Sequence, residues 1–163
     1  MFQEKTINAL KWIVEILNRK NIPYQISGGF AAKIYGSTRL LNDIDIDIPE
    51  DRFVDLVEEV RPYIVFGPKH YKDDKWDAYL MTLNFTGQEI DIDGAYEVKV
   101  SSKDRTEWVH IPVDFSKVNK MEVEGIVVNV ISPMNLVKYK QHLDGDHQVE
   151  DIKAAENYLK EML

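Results

Sequence analysis

Residues 42–50 read NDIDIDIPE, and a second acidic run, QEIDIDGAY, follows at residues 88–96. Each alternates an acid with isoleucine, and a period of two marks a β-strand with one apolar and one polar face. In the first run Asp43, Asp45 and Asp47 share one side and Ile44, Ile46 and Ile48 the other; in the second, Glu89, Asp91 and Asp93 stand opposite Ile90 and Ile92. A wet outer face is the ordinary explanation of one such alternation. Aspartate, however, is depleted in strands, and like charges on a shared face repel. If the two strands are neighbours with matching faces, the acids gather at the ~5 Å strand spacing. Carboxylates ~4 Å apart repel by ~4 kcal/mol at an effective dielectric near 20, a cost that a divalent cation removes. An all-oxygen donor set suits a hard ion, with Mg2+ the first candidate because it accepts a few carboxylates together with substrate phosphates.

Upstream, the strand-like YQIS (24–27) runs into Gly28-Gly29 and then FAAKIY, a helix that Gly36 would close. A glycine pair between strand and helix lets backbone N–H groups approach a phosphate. Taken alone, SGG is equally a tight turn. Its place just before an Asp-x-Asp strand makes it more specific.

The remaining chain supports one mixed domain. An amphipathic helix over residues 4–20 is marked by Ile7, Leu10, Ile13 or Val14, and Leu17, with Pro23 as its expected stop. EDRFVDLVEEV suits a helix and YIVFG a strand, while PKHYKDDKWDA (68–78) reads as a polar, mobile loop. YLMTLNF and EIDIDGAY flank a hairpin turn at Thr86-Gly87, and MEVEGIVVNVIS turns at Glu124-Gly125. SPMNLVKYKQHL (132–143) opens with a capping serine and a proline at the first helical position, and a last helix starts near His147. The expectation is a single α+β domain over residues 1–163. It has a mixed sheet, helices mainly on one face, and a C-terminal helical pair at 132–163 packed on it.

Composition narrows the partners. At 44% hydrophobic and 29% charged residues the chain matches soluble globular proteins, and with no cysteine it has neither disulfides nor thiolate metal sites. A net charge of −8 opposes association with nucleic acid or anionic lipid. Glu4, Lys5, Lys11 and Glu15 interrupt the first apolar stretch, unlike a signal peptide, and no run approaches the ~20 apolar residues of a membrane span. The expected location is cytoplasmic, away from membranes.

The motifs ISGGFAAKIYG, DIDI and EIDI together resemble the nucleotidyltransferase superfamily of the DNA polymerase β type. In that superfamily a Gly-[Gly/Ser] turn and short helix precede an acid-x-acid strand, and a later strand brings a third carboxylate. GGFAAKIYGSTRLLNDIDIDIPED is also similar to the start of small lincosamide and aminoglycoside nucleotidyltransferases, and SPMNLVKYK with VEDIKAAENYL resembles the closing helices of minimal nucleotidyltransferases. The resemblance implies a nucleotidyltransferase-like fold. Asp43, Asp45 and Asp91 would be the metal-binding and catalytic carboxylates. Ser27, Gly28 and Gly29 would be the phosphate-holding turn, and Arg39 a triphosphate contact. Glu89 and Asp93 stand as alternatives to Asp91, since strand register decides among them. Lys140 falls where related enzymes often carry a lysine facing the site, and an ordinary helix-surface lysine explains it as well.

The implied activity is Mg2+-dependent, with two ions during turnover. It moves a nucleoside monophosphate, AMP from ATP, onto a hydroxyl of a small and antibiotic-like acceptor. One alternative is an antitoxin-type minimal nucleotidyltransferase that modifies or masks a toxin-type protein partner; another is a non-catalytic nucleotide-binding module. A homodimer is compatible with each. The chain is short for a templated polymerase and lacks a basic face.

Overall fold

In the computed structural model, which describes residues 2–163, the two acidic runs are adjacent parallel strands. In chain order the elements are α1 (Glu4–Arg19), β1 (Gln25–Ser27), α2 (Gly28–Ile34), β2 (Asp43–Ile48) and α3 (Phe53–Val60). Then come β3 (Ile64–Lys72), β4 (Trp76–Phe85), β5 (Gln88–Gly94), β6 (Lys99–Ser101) and β7 (Trp108–His110). β8 (Asn119–Val123), β9 (Ile126–Val130), α4 (Pro133–Lys140) and α5 (Asp146–Glu161) complete the chain. One mixed sheet of nine strands runs β7-β6-β4-β5-β2-β1-β9-β8, with β3 paired to β4. The architecture is the expected α+β one, a mixed sheet with helices packed on it.

The isoleucine rows fix this register. Ile44, Ile46, Ile48, Ile90 and Ile92 are fully buried in one core with Leu10, Ile13 and Leu17 of α1 and Leu56 and Val60 of α3. Each such side chain contributes ~1.5–3 kcal/mol on burial. A slip of one residue would exchange these isoleucines for aspartates, so the core that holds the strands also aims the acids. At the other edge α4 and α5 pack on each other and on α2. Ser132 caps α4 by accepting from the Asn135 backbone N–H, and the Tyr35 hydroxyl donates to the Ile131 carbonyl oxygen at 2.6 Å.

Two local expectations are corrected. α1 stops at Arg19, before Pro23 can act, because Asn21 adopts a left-handed conformation (φ 53°) and the Ile22 N–H turns back to the Leu17 carbonyl. The polar stretch 68–78 is mostly strand: β3 runs to Lys72 and β4 begins at Trp76. Its residues are hydrophilic because this hairpin is largely exposed on the β3 side, and backbone pairing to β4 holds it extended. Its lysines brace the hairpin and the neighbouring strands. Lys69 lies over Phe66, Lys72 over Trp108, and Lys75 donates to the Ser101 carbonyl. Among the described residues no helix is long and apolar enough to cross a membrane.

Candidate active site

β2 and β5 pair in register, with Asp43 beside Glu89, Asp45 beside Asp91 and Asp47 beside Asp93. One carboxylate oxygen from each of Asp43, Asp45 and Asp91 lies within 4.8 Å of the other two, and no other such group of three occurs among the described residues. Glu89, at the exposed end of β5, and Asp93, one ladder step further on, fall outside it. Asp91 is oriented by Thr82 of β4, whose hydroxyl donates to Oδ1 at 2.7 Å.

These acids stand too close together to be comfortable as anions. Burial, a hydrogen bond shared with Asp91 and the charges of Asp91 and Glu89 raise Asp43 to about 6. Asp45 is pushed well above the carboxylate range, first by burial and then by Asp43, Asp91 and Asp47, while Lys140 pulls it back. The stress extends along the ladder. Burial lifts Asp47 to about 6 although Gln25 and Ser27 donate to it, and burial with the charge of Asp47 lifts Asp93 strongly. A cluster of crowded oxygen donors with no softer ligand among them fits a hard divalent cation such as Mg2+.

The glycine turn separates this anionic half from a cationic one. Gly28 has φ +62°, and a Cβ there would overlap Oδ2 of Asp45. A Cβ on Gly29 would overlap Nη2 of Arg39. The double glycine is therefore what allows an acid and a guanidinium to close on the same two residues. α2, which starts here, has seven residues and brings only a short stack of peptide dipoles to the turn. Ser27 is buried and pairs with Asp45 across β1 and β2.

A cleft of about 540 Å³ opens from the carboxylates. Asp45, Asp47, Asp91 and Asp93 supply its acidic side, and Tyr71, Trp76 and Tyr139 its aromatic side, with Trp76 and Tyr139 ring centroids 5.9 Å apart. Gln25 donates to Oδ2 of Asp47 at 2.8 Å. The Tyr139 hydroxyl is held in its neutral form by burial and by the four neighbouring aspartates.

All the carboxylates singled out in the sequence share one sheet face, and Ser27, Gly28, Gly29 and Arg39 lie beside them. Arg39 is already engaged: Nε and Nη2 donate to Asp151 of α5. Lys140 is no surface lysine, since only 3% of its side chain is exposed and its Nζ pairs with Asp151 at 2.9 Å. Sequence reading passed over Asp151, Gln148 and Thr82. The first two had a detectable signal: Gln148, Asp151 and Ala155 occupy the buried stripe of α5, where an acid is out of place. Thr82 had none, because a threonine in a strand is unremarkable.

Solved structures of similar fold include nucleotidyltransferases. A Thermotoga maritima protein assigned as a nucleotidyltransferase superimposes with a TM-score of 0.74 at 19% identity, covering 99% of this chain and 96% of that one. The antibiotic-resistance factor ANT(2'')-Ia gives 0.63 at 15% identity, over 94% of this chain and 83% of its own. The lincomycin-bound lincosamide antibiotic adenylyltransferase LnuA gives 0.62 at 14% identity, over 96% and 98%. No curated protein matches the chain in sequence. At such identities these likenesses speak for the fold. The stronger finding is that residues 9–156, nearly the whole chain, match the family model for aminoglycoside-2''-adenylyltransferase, and the protein therefore belongs to that family of nucleotidyltransferases.

Proposed function

We propose that the protein transfers AMP from ATP, with Mg2+, to a hydroxyl of a small, amine-bearing acceptor of the antibiotic-like kind. The observation that carries this reading is the meeting of Asp43, Asp45 and Asp91 within 4.8 Å, with Asp45 against Gly28 and both Asp45 and Asp91 lining the cleft. Bound by these three carboxylates, Mg2+ would supply the positive charge that aligns a triphosphate and stabilises charge developing during in-line displacement.

The protein's own groups supply the rest. Gly28 and Gly29 let Asp45 and Arg39 close on the turn, where backbone N–H groups would meet phosphate oxygens, and Ser27 fixes where the turn begins. Arg39 stands on the far side of Gly29, where the leaving pyrophosphate would depart. Thr82 holds Oδ1 of Asp91, leaving Oδ2 to face a metal or an acceptor hydroxyl. Asp47 and Asp93 line the cleft beside the metal-binding group, and an acceptor that carries ammonium groups would stabilise their charged forms. Tyr71, Trp76 and Tyr139 offer flat faces to a ring or a cation. The nearly complete family match and the aminoglycoside and lincosamide enzymes among the structural neighbours support an acceptor of this class. The acidity of the site disfavours nucleic acid as the acceptor.

The test is turnover of α-labelled nucleoside triphosphates across a panel of hydroxylated amines and lincosamides, wild type against Asp45→Asn. A loss of at least ~100-fold in the variant, ~2.7 kcal/mol of transition-state stabilisation, is expected. Equal rates in the two proteins reject the assignment.

A further inference from the structure

Behind the glycine turn lies an ion network that the acidic strands do not account for. Asp151 of α5 is fully buried. It accepts from Nε of Arg39 at 2.9 and 3.0 Å, from Nη2 of Arg39 at 2.8 Å and from the Ser37 hydroxyl at 2.8 Å, and it pairs with Nζ of Lys140 at 2.9 Å. Lys140 also donates to Oε1 of Gln148 at 2.8 Å. Two cations therefore share one buried anion, and a net positive charge is left over. Arg39 is a quarter exposed, and Asp45 and Glu150 are the further acids whose charge it feels.

The surplus is aimed. Nη2 of Arg39 occupies the space a Gly29 side chain would take. Both Arg39 and Lys140 feel the charge of Asp45, whose own carboxylate rests against Gly28. Asp151 uses the Nε edge of the guanidinium, and Nη1 has no hydrogen-bond partner among the described residues. With α2 only seven residues long, these two side chains are the principal fixed positive charge at the turn.

We propose that Asp151 is a positioning residue for nucleotide binding. It holds Arg39 and Lys140 in fixed places beside Gly28 and Gly29, so that their surplus charge meets the β- and γ-phosphates of a nucleoside triphosphate. The inference rests on the proposed nucleotidyl transfer and adds to it a group from the C-terminal helix that touches neither phosphate nor metal. Fixing two flexible cations before the ligand arrives spares their reorganisation when it binds, and the planar fork of Arg39 is well suited to this. It also gives α4 and α5 a defined part: they complete the cationic half of a site whose anionic half is on the sheet.

The experiment measures the affinity of the Mg2+ complexes of the four common ribonucleoside triphosphates, and of the matching monophosphates, by calorimetry without acceptor. The proteins are wild type, Asp151→Asn, Lys140→Met and the double variant Lys140→Met/Asp151→Leu, each with a thermal melt. For the triphosphate that wild type binds best, affinity should fall tenfold or more in Asp151→Asn, while monophosphate affinity changes less than twofold. The double variant, which replaces the buried ions with apolar groups, should recover thermal stability without recovering triphosphate affinity. Wild-type triphosphate affinity in a folded Asp151 variant, or equal losses for triphosphate and monophosphate, overturns the positioning role and leaves the function intact. Absence of Mg2+-dependent triphosphate binding in wild type overturns the functional reading and this inference with it.

Discussion

The molecule buries aspartate in two places a short distance apart and treats it in opposite ways. On β2 and β5, Asp43, Asp45, Asp47 and Asp93 are crowded among other acids and pushed up. On α5, Asp151 is more fully enclosed, and burial alone would raise it, yet hydrogen bonds from Arg39, Lys140 and Ser37 outweigh burial and hold it low. The side chain is the same, and burial raises it in both places. What decides is whether the fold provides the counter-charge. Asp151 has its cations built in; Asp45 feels the charge of Lys140 against three neighbouring acids, and the repulsion among the strand acids favours a divalent ion.

Perturbing each side separately should break the comparison if it is wrong. The largest stability effect is expected at the satisfied site: Asp151→Asn leaves Lys140 and Arg39 facing a neutral group, and urea unfolding should show a loss of about 3 kcal/mol or more. A loss under about 1 kcal/mol would mean the network is slack.

A pH series on the metal-free protein should give the contrary result at the unsatisfied site. Asp43 and Asp47 bind protons more tightly in the folded state, at about 6 against an ordinary 3.8. The native state therefore carries the extra protons between those values, and stability declines as pH rises through that window. Melts should show a gain of about 1–2 kcal/mol on going from pH 7 to pH 5, a gain that millimolar Mg2+ abolishes by stabilising the pH 7 form. Asp151 contributes with the opposite sign, losing its stabilisation only at still lower pH.

Gly28→Ala sharpens the comparison at the boundary of the two halves. It should lose about 1–2 kcal/mol of stability, because a Cβ at φ +62° is strained and would also displace Asp45, and Mg2+-dependent stabilisation should weaken with it. The smallest effect is expected for Thr82→Ala, which removes a single hydrogen bond to Asp91. Stability should change by about 1 kcal/mol or less, while Mg2+ affinity, read by calorimetry, drops roughly tenfold through the freed carboxylate.

Much of the site was legible before folding because strands have a period of two. DIDIDI and EIDID could be read as acids on one side and isoleucines on the other, and burial of the isoleucines left the acids only one way to face. The glycine pair was legible in kind, as a turn, though its need to admit both Asp45 and Arg39 was not. The polar hairpin at 68–78 was misread because strand pairing there is sustained by backbone hydrogen bonds that leave little mark on side-chain polarity.

Local alternation in the sequence thus determined which residues would be acidic neighbours and which would form the core. Tertiary structure alone decided that β2 and β5 pair in parallel with Asp45 beside Asp91, which is what singles out Asp91 from Glu89 and Asp93 as the third member of the cluster. It also decided that Arg39, more than a hundred residues away in the chain, shares Asp151 with Lys140. Periodicity reports on neighbours along one element, whereas electrostatic pairing depends on which elements meet, and that is settled only when the core closes.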